Sequence, residues 1–143
     1  MSYSTVATWK LTKWTGSELI RRVPKILTNY GKVLDQQFKE EIKAVQYAWP
    51  RKTKRKNGSE ISSPRDIVDL GGFLRSQERV QPPSVTELVF RWNAPYASLI
   101  YNGYTLNSGF VAPPRNWIKP ALEKQPLDNF FREQWAALAA SKL

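Results

Sequence analysis

The chain has 143 residues and a formal net charge of +10, from 22 basic and 12 acidic residues. It contains no cysteine and no histidine, which excludes thiol nucleophiles, disulfides, imidazole bases and the usual zinc ligands. The length is typical of one domain with its own hydrophobic core, so we expect a single domain over residues 1–143, with flexible ends at 1–14 and 139–143. No apolar run approaches the roughly 20 residues of a membrane span.

A long amphipathic helix is predicted between Thr15 and Trp49, because apolar residues recur three or four positions apart along this stretch. Thr15 and Glu18 have the spacing of a capping box, in which each side chain satisfies a backbone donor at the helix start. Pro24 lacks a backbone N–H, so we expect either a kink or a short first helix that ends near Arg22.

Glu40 and Glu41 are adjacent within this predicted helix. Neighbouring helical positions point in different directions, which makes these carboxylates a poor pair for acid–base chemistry. We expect both on a solvated face of the helix.

The positive charge is concentrated in residues 51–65, which carry six basic residues and one acidic residue. The same stretch contains Asn57-Gly58 and Ser-Ser-Pro, a composition that favours turns or disorder, and we predict a long mobile basic loop there. A positive excess suggests an anionic partner, and nucleic acid is the commonest. The cations that this prediction assigns to DNA or to a neighbouring ring are Arg51, Lys52, Lys54, Arg55 and Lys56.

A short helix is predicted over residues 71–77 (GGFLRSQ). Asp69 precedes it and can accept a hydrogen bond from a backbone N–H of the first turn, as an N-cap residue does. We therefore interpret Asp69 as a cap.

Strands follow this helix. Apolar residues alternate with mixed ones over residues 85–92, which is the period of a half-buried strand. We expect an antiparallel partner over 77–81, joined through the Pro82-Pro83-Ser84 turn. The dipeptide Asn102-Gly103 favours a two-residue hairpin turn, so a second hairpin is predicted from strands at 99–101 and 104–106.

Two helical stretches are predicted near the end of the chain. Trp117, Ile118 and Ala121 have helical spacing, with Pro120 as a break, and Pro126 can open a last helix with one apolar side. The order of elements predicts an α+β fold, in which the long N-terminal helix and the C-terminal helices pack on a small antiparallel sheet beside a long basic loop.

Three segments together resemble the head–tail joining proteins of long-tailed bacteriophages, the family of neck, tail-completion and tail-terminator proteins. They are residues 69–76 (DLGGFLRS), residues 96–105 (YASLIYNGYT) and residues 114–122 (PRNWIKPAL). The order of the three matches that family, and the resemblance covers residues 17–125. The extra glycine in the first segment, the tyrosine between Gly103 and Thr105 and the basic loop depart from the family pattern.

The resemblance implies a virion structural protein made in the host cytoplasm, with no enzymatic activity, cofactor, membrane or small-molecule substrate. It implies a homo-oligomeric ring, a hexamer or alternatively a dodecamer, which contacts adjacent connector and tail-tube proteins and lets DNA pass through its lumen. The residues placed in the family-like motifs and in subunit contacts are Asp69, Gly71, Leu74, Arg75, Tyr96, Tyr101, Gly103, Tyr104, Phe110, Arg115 and Trp117.

The aromatic residues have two interpretations, because large rings dominate both cores and interfaces. For Trp92 and Trp117 the core is favoured, whereas Tyr101, Tyr104 and Phe110 surround predicted turns and suit either place. A contrasting hypothesis for the whole chain is a basic nucleic-acid-binding module, in which these aromatic and basic residues contact the nucleic acid. No motif supports an enzyme.

Overall fold

The structure is a computed structural model that describes residues 2–6, 16–46, 54–60, 67–68, 71–80 and 87–140. Its five helices and five strands within these ranges form an α+β fold, as predicted. In chain order they are β1 (Ser2–Val6), α1 (Gly16–Lys43), α2 (Gly72–Arg75), β2 (Gln77–Val80), β3 (Glu87–Trp92), α3 (Ala97–Asn102), β4 (Tyr104–Thr105), β5 (Val111–Ala112), α4 (Ile118–Lys124) and α5 (Leu127–Ala140).

The main sheet is antiparallel, with the strand order β1-β3-β2. The period-two prediction for β3 is confirmed, since Leu88, Phe90 and Trp92 are all buried. The predicted partner of β3 is also confirmed, because Arg79 of β2 lies opposite Phe90. The Pro82-Pro83-Ser84 turn lies outside the described residues.

The expectation of a flexible end at residues 1–14 is wrong for Ser2–Val6, which form β1. This strand pairs with the edge of β3 that β2 leaves open, and Thr5 lies opposite Leu88. The pairing satisfies the backbone N–H and C=O groups along that edge, which a lone hairpin would leave unpaired.

Helix α1 runs without interruption through Pro24, so the expected short first helix ending near Arg22 is not formed. Proline removes one backbone hydrogen bond, but Val23 and Ile26 on either side of Pro24 are buried and hold the helix against the rest of the fold. The hydroxyl of Thr28 also donates to the Pro24 carbonyl oxygen at 2.9 Å. The helix ends at Lys43, before the predicted end at Trp49, which lies outside the described residues.

The predicted hairpin at Asn102-Gly103 is wrong. Ala97–Asn102 form helix α3, which ends at Gly103. The hairpin follows this helix and is formed by β4 and β5, which pair with each other. Its turn is closed by Leu106, whose N–H donates to the Phe110 carbonyl oxygen and whose carbonyl accepts from the Gly109 N–H.

Pro120 does not break α4, because it lies in the first turn, where a missing N–H costs no helical hydrogen bond. The Asn116 side chain accepts hydrogen bonds from the Ile118 and Lys119 N–H groups at 3.0 and 3.1 Å. These bonds satisfy two of the donors that a helix start leaves free.

Two groups of buried residues hold the helices and the sheet together. In the larger one, Leu34 and Phe38 of α1 pack with Phe90 and Trp92 of β3. In the smaller one, Phe131 and Trp135 of α5 pack against residues 23–27 of α1. The last helix was predicted with this apolar side, and the structure confirms it.

Candidate functional site

Trp117 lies at the centre of the three motif segments. Its indole is fully buried and meets Phe73 of the first segment and Tyr101 of the second edge-on, with ring centroids 5.0 and 5.3 Å apart. Trp92 of β3 packs on the same indole at 5.3 Å. The fold thus brings three segments that are separate in sequence onto one ring, which we call the Trp117 cluster: Phe73, Trp92, Tyr101 and Trp117.

The burial of Trp92 and Trp117 agrees with the core interpretation. A buried indole does not reach a neighbouring subunit, so Trp117 does not fit the subunit contact that the resemblance implied. Leu74 is half-buried and packs against the same core.

Arg115 is also interior, with 4% of its surface exposed. One of its terminal nitrogens donates to the carbonyl oxygens of Glu41 and Ala44, at 2.8 and 2.6 Å. Its backbone N–H donates to the Ile100 carbonyl oxygen at 3.0 Å. The side chain closes the C-terminal end of α1, where carbonyls lack helical partners, and its burial does not fit a subunit contact.

Two motif glycines have structural reasons. Gly103 has φ +76°, and a Cβ there would lie 2.7 Å from the Ala112 carbonyl oxygen and 2.8 Å from the Pro114 nitrogen. Gly71 has φ +79° and occupies the N-cap position of α2. The cap predicted for Asp69 is therefore assigned to Gly71 instead, and Asp69 lies outside the described residues. Arg75 is exposed, with its guanidinium beside Gly71.

The segments around the Trp117 cluster present apolar side chains to solvent. Tyr96 and Leu99 lie at and within α3, with 43% and 52% of their surface exposed. Leu106 and Val111 lie on the hairpin that follows, at 45% and 61%. We call these four residues the α3–hairpin surface. Tyr104 and Phe110, half-buried, lie on the same hairpin.

Only Tyr96 of these four exposed residues was among the predicted contacts. The sequence predicts a strand at Leu99, where the structure has helix α3, and a hairpin turn at Asn102-Gly103, whereas the observed turn lies between Leu106 and Val111. The sequence holds no signal for Val111, because Val111 and Ala112 are both apolar and only the fold shows that Ala112 is the buried one.

The described part of the basic stretch, residues 54–60, is a tight turn. Arg55 N–H donates to the Ser59 carbonyl oxygen at 2.9 Å, and the backbones of Lys54 and Glu60 form an isolated antiparallel β-bridge. The Asn57 side chain accepts from the Ser59 N–H and hydroxyl. Lys54 and Lys56 are exposed, while the Arg55 guanidinium also donates to Ser59 Oγ and to the Glu60 carbonyl. Arg51 and Lys52 lie outside the described residues.

The expectation that both adjacent carboxylates are solvated is wrong for Glu41, which is 2% exposed. Its carboxylate forms an ion pair with Lys124 of α4 and accepts a hydrogen bond from Gln37 at 3.0 Å. Glu40 is exposed and accepts from Gln36. Glu41 therefore lies at the boundary of the core, and Glu40 lies in solvent.

Chemistry-bearing groups are sparse in the described part of the chain. There, no three residues of the types that bind metal ions lie close enough together to hold one. Tyr30 is buried, its hydroxyl donates to the Gln125 carbonyl oxygen at 2.6 Å, and burial raises its pKa from 10.0 to about 12. Within the described ranges no helix is long and apolar enough to cross a membrane.

Searches against protein-family models, curated proteins and solved structures find no match for this chain.

Proposed function

We propose that this protein is a structural component of the phage neck, a homo-oligomeric ring that joins the head-side connector to the tail. The observation that supports the proposal best is the Trp117 cluster. Phe73, Tyr101 and Trp117 come from the three family-like segments, and they contact one another in the fold. The three segments therefore form one unit of the fold, as the motifs of one family would.

The α3–hairpin surface suits subunit contacts. Exposed Leu99 and Val111 cost free energy in water, and apolar and aromatic side chains of this kind form the centres of protein interfaces. Beneath this surface, Trp117 packs on Tyr101 of α3 and the Arg115 N–H donates to the Ile100 carbonyl oxygen. Function here means complementary surfaces between subunits and toward adjacent connector and tail-tube proteins, with no chemical step.

The basic turn at residues 54–60 suits a position facing DNA or an adjacent ring. Lys54 and Lys56 are exposed on a compact turn. In a hexamer these charges would repeat sixfold, which creates a strong field for the phosphates of DNA in the lumen. A dodecamer is the alternative ring size.

The test is the quantity of this chain in intact particles purified from its source, measured by mass spectrometry against the portal subunit. The proposal expects between half a copy and one copy for each portal subunit. Absence from intact particles, with the chain present in the infected cells, would overturn it.

The second candidate is a basic nucleic-acid-binding module that acts without a ring, which the exposed lysines of the turn favour. A monomer that is absent from particles and binds DNA with strong salt dependence would support this candidate. A chain found in particles at the expected ratio would exclude it as the sole function.

A further inference from the structure

The solvent face of α1 carries a row of positive charges that the basic turn does not include. Successive residues of an α-helix turn by about 100° and rise by about 1.5 Å. Five cations of α1 therefore fall within a sector of about 40° and extend over about 33 Å of the helix. We call them the α1 row: Arg21, Lys25, Lys32, Lys39 and Lys43.

The burial of α1 agrees with this geometry. Val23, Tyr30 and Leu34 lie on the opposite side of the helix and are buried against the core. Four cations of the row are exposed, and the Lys39 side chain is 35% exposed. The row therefore faces away from the sheet and from α5.

Carboxylates compensate little of this charge. Asp35 pairs with Lys39 at 2.9 Å and also accepts a hydrogen bond from Gln77. Glu41 is buried on the far side with Lys124. Among the residues whose side chains the structure describes, which do not include Glu18, no carboxylate lies within ion-pair distance of Arg21, Lys25, Lys32 or Lys43. Asp35 and the exposed Glu40 flank the row, so its five cations outnumber the described carboxylates beside them.

We propose that the α1 row binds the sugar–phosphate backbone of duplex DNA. A row of lysines on a rigid helix gives sequence-independent contacts with phosphates. Its length of about 33 Å is close to the roughly 34 Å of one duplex turn. Bases of a single strand would need exposed aromatic rings, whereas Tyr30 and Phe38 of α1 are buried on the other side.

This surface does not depend on ring assembly, and it would serve a ring subunit and an isolated monomer alike. The experiment therefore uses the isolated full-length protein. Its failure would leave the copy number in particles unaffected, so the two proposals fail separately.

The test measures the binding of a fluorescent duplex of about 20 bp by anisotropy over a series of salt concentrations. The row variant is K25Q/K32Q/K43Q. The control variant is R91Q/K119Q/R132Q, which removes three exposed cations from other elements and has the same net charge as the row variant. Circular dichroism and thermal unfolding establish that both variants fold.

For the row variant we expect an affinity at least tenfold lower at low salt. The slope of log affinity against log salt should be shallower by about 2 to 3, since each lost phosphate contact removes about 0.9. The control should keep the wild-type slope. Equal losses in the two variants, or no duplex binding by the wild-type protein at about 50 mM salt, would overturn the assignment.

Two further measurements need no variant that could alter the fold. Bound duplex should protect Lys25, Lys32 and Lys43 of the wild-type protein from chemical acetylation and leave Lys119 reactive. Uniform protection of all four would contradict the proposal. A single strand of equal length should bind more weakly than the duplex, and tighter binding of the single strand would overturn the choice of duplex DNA.

Discussion

The indole of Trp117 packs edge-on against the ring of Phe73, with 5.0 Å between centroids and 75° between planes. This contact joins the segment that leads into α4 to helix α2, which lies directly before β2 in the chain. Both rings are almost completely buried. The pair therefore connects the first and third family-like segments through the core.

Replacing Trp117 by alanine should destabilise the fold strongly. The substitution removes the ring that Phe73, Trp92 and Tyr101 contact, and buried tryptophan-to-alanine changes cost about 3–5 kcal/mol. Urea unfolding followed by circular dichroism measures the loss. Tyr96→Ala is the control, because this ring is 43% exposed and should cost well under half as much. Similar losses would mean that Trp117 is not central to the packing.

Gly103→Ala should destabilise the protein far more than Gly109→Ala. Both glycines have positive φ, and Gly103 combines it with ψ 165°, a backbone conformation that essentially only glycine adopts. Only at Gly103 would the new Cβ approach backbone atoms, at 2.7 Å from the Ala112 oxygen, whereas nothing lies within 4 Å of Gly109. The measurement is the difference between the two unfolding free energies. Equal values would contradict the close approach and the glycine-only conformation assigned to position 103.

The free energy of unfolding should fall as the pH rises from 10.0 to about 12, the range between the ordinary pKa of Tyr30 and its pKa in the folded protein. Burial raises its pKa from 10.0 to about 12 in the folded protein, so folding favours the neutral phenol. The contribution is complete below pH 10 and is lost between about pH 10 and 12, by about 3 kcal/mol at most. Urea midpoints from pH 8 to beyond pH 11 measure this loss.

Tyr30→Phe supplies the control for that titration, because it keeps the ring and removes the hydroxyl that donates to the Gln125 carbonyl. Other tyrosines and the lysines titrate equally in both proteins. The difference in stability between them should therefore shrink as the pH rises. A difference that is constant with pH would contradict the assigned pKa.

Local sequence pattern predicts those elements in which the spacing of apolar residues along one strand or helix determines which side chains are buried. Leu88, Phe90 and Trp92 alternate strictly, and one face of β3 is buried as a result. Pro24 shows the limit of a local rule, since the packing of Val23 and Ile26 keeps α1 continuous where proline alone favours a break.

The parts of the candidate site that were missed depend on distant partners. Position 103 needs glycine because the backbone of Ala112 and Pro114 lies against it, which no turn rule for Asn-Gly contains. The carboxylate of Glu41 is buried together with an ion-pair partner, Lys124, which lies on the distant helix α4. Such contacts arise only when the chain is folded, so the sequence predicted the motif residues but not which of them face outward.

The α3–hairpin surface should contribute little to folding and be required for assembly. Leu99→Ser with Val111→Thr should leave the unfolding free energy within about 1 kcal/mol of wild type, because both side chains are more than half exposed. If this surface forms the subunit contacts of a ring, the same double variant should fail to enter particles in a complementation assay. Asn129→Ser with Glu133→Gln on the exposed side of α5 is the matched control and should be incorporated normally. Normal incorporation of the α3–hairpin variant would remove this surface from the proposed assembly, since a folded subunit that lacks its apolar contacts should not compete for a place in the ring.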